Sequence, residues 1–290
     1  MNAPHAEKAI VVTGASTGIG RASSLALLDA GFRVFACVRN ERAATDLRTR
    51  LPAEAADRLV TLELDVTSPE QIRSAAIAVE LAVGERGLWG LFNNAGIAVS
   101  GPIECVPIAD LRRQLEVNVV GQVAVTQAFL PLLRRARGRV LTTGSIAGFS
   151  TIPGLGPYSI SKHAIEAMSD GLRRELRPWG IEVSLLEPGS IATDIWEKGA
   201  SDYRETQKAP PPGLTELYGG LVEALKGLSA RAQRDASPVE VVTRDVVHVF
   251  TARRPRTRYC KGEGSGARKV LKRLPDRWMD AAIARMFRWG

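Results

Sequence analysis

Apolar runs rich in valine, isoleucine and leucine recur along this chain at 9–13, 33–38, 59–64, 89–92, 139–143 and 181–186. Helical patterns fill the gaps at 18–30, 41–50, 69–84, 108–134 and 158–178. Strands that alternate with helices form βαβ units, and right-handed crossovers place such strands parallel in one sheet. The runs show little polar alternation, as expected when helices cover both sheet faces. The pattern predicts an α/β fold, a doubly wound parallel sheet, with a last strand near 255–260. A length of 290 residues suits one such domain.

The rhythm breaks at 194–240. Pro210-Pro211-Pro212-Gly213 is followed by Leu214, Leu217, Tyr218, Leu221, Val222, Leu225 and Leu228 at helical spacing. This reads as an insertion that lays an amphipathic helix over the end of the sixth strand, a substrate lid on a core spanning 8–195. No linker marks a second domain.

Residues 244–290 form a basic extension with 13 Lys/Arg against 4 Asp/Glu, which accounts for the whole net charge of +8. Within it Trp278, Met279, Ala282, Ile283, Met286 and Phe287 make one helical stripe. Docking on the protein or on a second subunit is expected for that stripe; peripheral contact with a membrane surface is the competing reading. The extension lacks interleaved aromatic platforms, so no nucleic acid is expected. Cys37, Cys105 and Cys260 have no metal or redox spacing and suit a reducing cytoplasm. The N-terminus does not read as a signal peptide, and no apolar run reads as a membrane span.

The chemistry gathers in a few places. Thr13-Gly14-Ala15-Ser16-Thr17-Gly18-Ile19-Gly20 stands between the first strand and its helix. Glycines there allow a tight turn and close approach of backbone to a pyrophosphate at a helix N-terminus, the device of the Rossmann fold. Tyr158 and Lys162 lie four apart near a helix start, on one face. A lysine held beside a phenol stabilises its anion, and moving that pKa from roughly 10 to near 7 takes about 4 kcal/mol.

The glycine pattern, Asn93-Asn94-Ala95-Gly96, Asn118, Ser145, Tyr158-x-x-x-Lys162 and Pro188-Gly189 follow the order of the short-chain dehydrogenase/reductase family, which the chain resembles over about residues 8 to 195. The resemblance implies a catalytic set of Asn118, Ser145, Tyr158 and Lys162. Tyr158 would exchange a proton with a substrate oxygen, and Ser145 would hydrogen-bond that oxygen. Lys162 would lower the tyrosine pKa and bind ribose hydroxyls, while Asn118 would hold a relay water.

Cofactor contacts are implied at Gly14, Ser16, Thr17, Gly18, Ile19, Gly20, Arg39, Asp65, Val66, Asn93, Ala95, Gly96, Tyr158, Lys162, Pro188, Gly189, Ile191 and Thr193, with no metal. Arg39, after the second strand, suits the 2′-phosphate of NADP(H) over NAD(H). Thr17 departs from the basic residue that many NADP-using members carry there.

Walls at 97–101 and 147–155, with Ile195, Trp196, Tyr203 and Tyr218, are mostly apolar and favour a lipophilic alcohol or ketone. Leu88–Asn94 and Glu187–Gly189 are similar to the retinol and hydroxysteroid dehydrogenase branch. A homo-oligomer through helices 108–134 and 158–178 is implied as well. The alternatives are a 3-oxoacyl- or polyketide-type ketoreductase and, in another class, a non-catalytic NADP-binding regulator.

Overall fold

The computed structural model describes residues 5, 7–49, 53–193, 195, 213–266 and 274–287. Seven parallel strands form one sheet in the order β3-β2-β1-β4-β5-β6-β7. They are β1 Ala9–Val12, β2 Arg33–Val38, β3 Leu59–Glu63, β4 Gly90–Asn93, β5 Arg139–Thr143, β6 Glu182–Pro188 and β7 Arg258–Lys261. Among the described residues the α-helices are α1 Gly18–Asp29, α2 Glu41–Arg48, α3 Pro69–Val83, α4 Ile108–Leu115, α5 Gly121–Ala136, α6 Gly156–Glu175, α7 Leu214–Arg234, α8 Glu240–Thr251 and α9 Asp276–Phe287.

The period of two in a strand sends Ile10 and Val12 to one face and Ala9 and Val11 to the other. On the first face these side chains join Leu27 and Leu28 of α1 with Val242, Val246 and Phe250 of α8. On the second they join Ile72 and Val79 of α3 and Val125 and Phe129 of α5. Both faces are therefore apolar, which is why the strands read as uninterrupted runs.

The sequence reading ended the dinucleotide core at 195, yet α8 and β7 complete the sheet and one helical layer. Helix α8 escaped notice because it was divided between the insertion and the basic extension. The expectation of no apolar run of membrane-spanning length also needs correction. The continuous unit Ile108–Ala136 is long and apolar enough by composition, but it packs through Val125, Phe129, Leu132 and Leu133 on the sheet. Between α4 and α5 that unit contains a π-helical turn, Glu116–Val120.

The expected lid helix is α7, and its apolar side carries the stripe of α9. Ile283, Phe287 and Met279 pack with Leu221, Tyr218, Leu225 and Leu228, and with Ile152 and Leu155 from the loop before α6. Docking on the protein is thus what α9 does, with Trp278 left 69% exposed. The basic extension is partly neutralised from within: Arg258 pairs with Glu166 at 2.8 Å and Asp170 at 3.1 Å on α6.

Candidate active site

The strand order reverses between β1 and β4, and a crevice opens there beyond the carboxyl ends of the strands. Among the described residues, the glycine turn, Asn93–Gly96, Ser145 and Pro188–Thr193 follow the carboxyl ends of strands, and Tyr158 and Lys162 lie on the helix beside them. The turn after β1 is tied to its neighbours by main-chain bonds: Thr13 N–H donates to Phe92 O at 3.0 Å and Ala15 N–H to Cys37 O at 3.0 Å. Gly14 and Gly18 have φ of 64° and 54°, which glycine adopts without strain. A Cβ on Gly14 would also stand 2.8 Å from Ala95 Cα, so the turn can approach the β4 segment only as glycine.

Helix α1 begins after Thr17, whose side chain makes no capping bond. Its first-turn N–H groups lie at the crevice end of the sheet, and with Ser16, Ile19 and Gly20 they make a cradle that could hold a phosphate group. Thr193 borders this cradle, since a Cβ on Gly18 would meet Thr193 Cγ2 at 3.2 Å. Pro188 ends β6, and the main chain then crosses back to β7: Gly189 N–H donates to Lys261 O at 2.8 Å and Ser190 N–H to Glu263 O at 3.0 Å. Ile191 is buried beneath that crossing.

Two polar residues that the sequence reading did not single out hold the glycine turn to the β4 segment. Thr13 Oγ1 accepts from the N–H groups of Asn94 and Ala95 at 2.9 and 3.0 Å. Asn94 Nδ2 donates to the carbonyls of Thr13 and Gly14 at 3.2 and 3.3 Å. The doubled asparagine was the available signal, since a second amide beside Asn93 must find partners when half-buried.

Ser145 follows β5 and caps a short 3₁₀ turn, accepting from Ala147 N–H at 3.1 Å. Tyr158 projects from the second residue pair of α6 into a cluster with Ala98, Ala147 and Ile195. Burial pushes the Tyr158 phenol up to about 12, and a hydrogen bond with Ser145 pulls the other way. Lys162, one turn later, is also buried, and desolvation brings its ammonium down to about 8. Its Nζ lies 5.6 Å from the Tyr158 ring centre.

In the free protein, desolvation of the Tyr158 phenol outweighs what favours its anion.

Asn118 is buried in the π turn, and its amide is engaged. Oδ1 accepts from Ile97 N–H at 2.8 Å, while Nδ2 donates to Ile97 O at 2.9 Å and to Ser161 Oγ at 3.0 Å. With both Nδ2 hydrogens used, this side chain places the 97 segment. Ser161, missed in the sequence, passes the link on by donating to Tyr158 O at 2.7 Å.

The outer contacts are less concentrated. Asp65 Oδ1 caps the turn after β3, accepting from Thr67 N–H at 2.9 Å and Thr67 Oγ1 at 2.7 Å. Val66 is buried against the close approach of Gly121. Arg39 is exposed just past β2, and among the described residues it has no hydrogen-bond or ion-pair partner. Tyr218, on α7, donates a hydrogen bond to Glu104. Trp196 and Tyr203 lie outside the described residues. No group of metal-ligating side chains occurs among the described residues, and the three cysteines are free.

Comparison with known proteins agrees with this arrangement. The family model for short chain dehydrogenases matches residues 8–204. An NADPH-dependent 3-dehydrocapnine reductase of Ornithobacterium rhinotracheale is 39% identical over 279 residues, covering 93% of this chain and 94% of its own. Retinol dehydrogenase 16 of Mus musculus is 39% identical over 261 residues, 88% of this chain and 81% of its own. The crystal structure of a short-chain dehydrogenase from Streptomyces avermitilis superimposes with a TM-score of 0.75 at 27% identity, covering 98% and 96% of the two chains. By sheet, site and sequence, this chain belongs to the short-chain dehydrogenase family.

Proposed function

We propose that this protein is an NADP(H)-dependent oxidoreductase interconverting a lipophilic secondary alcohol and its ketone, of steroid or retinoid kind. The observation that carries this reading is buried Tyr158 grouped with Ser145 and buried Lys162 and walled by Ala98, Ala147 and Ile195. Apolar walls around one proton-bearing pair suit a carbonyl on an otherwise apolar molecule. Names of similar proteins, one an NADPH-dependent reductase and one a retinol dehydrogenase, support the same class.

The residues present fit a dinucleotide. The start of α1 would take the pyrophosphate, and exposed Arg39 the 2′-phosphate of NADP(H). Lys162 and Tyr158 would border the nicotinamide ribose, with Thr193 beside the glycine turn. When bound, the cofactor supplies a hydride to the carbonyl carbon or takes one from the alcohol carbon.

In reduction, Tyr158 Oη gives its proton to the substrate oxygen as negative charge develops there. Ser145 donates a hydrogen bond to the same oxygen. Burial that holds the phenol up to about 12 keeps this proton loaded at neutral pH. In the reverse direction the phenolate must form first, and a positive charge on Lys162 favours it.

NADPH absorbance in the presence of a panel of lipophilic ketones tests the reading. Turnover is expected, with kcat/KM for NADPH about tenfold or more above that for NADH. A preference for NADH removes the cofactor assignment, and no turnover across the panel removes the reaction. A homo-oligomer in the cytoplasm accompanies this reading, supported by Ile108 and Val120, which are 59% and 51% exposed on the α4–α5 unit.

A further inference from the structure

Four buried polar side chains recur every four residues along the α4–α5 unit: Gln114, Asn118, Gln122 and Thr126. They bond the chain leaving β4 at alternate residues, in reverse order. Gln114 Oε1 accepts from Val99 N–H at 2.5 Å. Asn118 closes both bonds with Ile97, at 2.8 and 2.9 Å. Gln122 Nε2 donates to Ala95 O, and Thr126 Oγ1 accepts from Asn93 Nδ2 at 2.7 Å.

The match has a geometric cause. Four helical residues rise about 6 Å, and two extended residues advance about 6.6 Å, so each step on the helix keeps pace with a step on the segment. A step of four also overshoots a full helical turn by about 40°, so three steps would carry the last side chain about 120° round the helix. The π turn at Glu116–Val120 has wider i→i+5 bonds, turns less per residue and takes back part of that drift. It keeps four polar side chains aimed at one extended segment.

That segment joins two parts of the site. Ala95 lies against Gly14 of the glycine turn, and Ala98 packs on Tyr158 and Ala147. We propose that the ladder sets the position of residues 93–99 and that its two ends govern different binding steps. Gln122 and Thr126 are positioning residues for the dinucleotide, and Gln114 is a positioning residue for the substrate. The substrate arm rests on the alcohol–ketone reading; the dinucleotide arm needs only a nucleotide that binds.

The terminal glutamines can be tested singly. Gln114 Nε2 and Gln122 Oε1 have no hydrogen bond among the described residues, so methionine at either place removes one bond to the segment and no second polar contact. Three quantities are read for Gln114→Met and Gln122→Met: NADPH Kd by fluorescence titration, KM and kcat for a ketone, and amide hydrogen exchange across 93–99. Gln114→Met is expected to raise KM about fivefold, speed exchange at Val99 and leave Kd within about twofold. Gln122→Met is expected to raise Kd about fivefold and leave KM within about twofold.

Equal effects of both variants on Kd and KM overturn the division of labour. Unchanged Val99 exchange in Gln114→Met, or unchanged Kd in Gln122→Met, overturns the ladder itself. If wild-type protein reduces no ketone, the functional reading fails while exchange and Kd still decide the ladder. Thr126→Val, expected to follow Gln122→Met in raising Kd alone, serves if Gln122→Met does not fold.

Discussion

Lys162 reaches from α6 to the end of β5, where its Nζ donates to the Thr143 carbonyl oxygen at 2.7 Å. The main chain of β5 therefore fixes the ammonium, and its influence on Tyr158 acts through space.

The burial of Lys162 gives a stability effect with a definite sign. The folded-state pKa of Lys162 is about 8 against 10.5 for an unburied lysine, so between these values the unfolded chain binds more protons. Stability from this group rises as pH climbs through that window, by about 3 kcal/mol. Tyr158, raised to about 12 from 10.0, opposes it above pH 10, where the folded state holds the extra proton. Denaturant titrations at closely spaced pH values are expected to show the rise, and Lys162→Met to flatten it. An unchanged slope in that variant refutes the assignment.

Tyr158→Phe removes the exchangeable proton and leaves the ring among Ala98, Ala147 and Ile195. The expected fall in kcat is about a thousandfold, with thermal stability little changed. Stopped-flow and steady-state rates with a good ketone measure it; a loss below tenfold would point to another proton donor.

Arg39→Ala tests the choice of cofactor. A charge-assisted contact to a phosphate contributes roughly 2 kcal/mol, so kcat/KM for NADPH is expected to drop about thirtyfold. The value for NADH is expected to stay within about threefold. Equal losses with both cofactors would show that Arg39 does not read the phosphate.

Ile283→Asp places a charge in the contact between α9 and α7. The lid helix is expected to loosen by about 2 kcal/mol, seen as faster amide exchange in α7, while the sheet keeps its protection. KM should rise more than kcat falls. Unaltered exchange in α7 would mean that α9 does not brace the lid.

Val120→Arg charges an apolar position on the outer face of the α4–α5 unit that is 51% exposed. Light scattering after size exclusion is expected to show a homo-oligomer in the wild type and a smaller species in the variant. A monomeric wild type would dispose of the assembly.

What the sequence revealed follows from what its patterns encode. The period of the apolar runs specified a two-faced parallel sheet because Ile10, Val11 and their neighbours are buried on alternate sides. Local motifs found Gly14, Ser145, Tyr158 and Lys162, since each needs its residue type at a fixed place. Asn94, Thr13 and Ser161 were passed over because their roles depend on partners as distant as Gly14 is from Asn94. The burial of Tyr158 and Lys162 was not legible for the same reason: spacing along α6 shows that a lysine is near, but not how much water has been removed.

The strand order also bears on how the chain is made. Beyond β1, the strands β4, β5, β6 and β7 are added to the sheet in the sequence in which a ribosome releases them. Each new strand covers the open edge left by the one before, so the growing sheet never waits on a distant segment to cover its newest edge. The glycine turn and the β4 segment can meet early, whereas Arg258, which ties α6 to β7, is made only after both. Nascent protein would gain its nucleotide cradle before its proton-transfer helix is braced, and ribosome-bound chains stopped before Arg258 should retain NADPH without reducing a ketone.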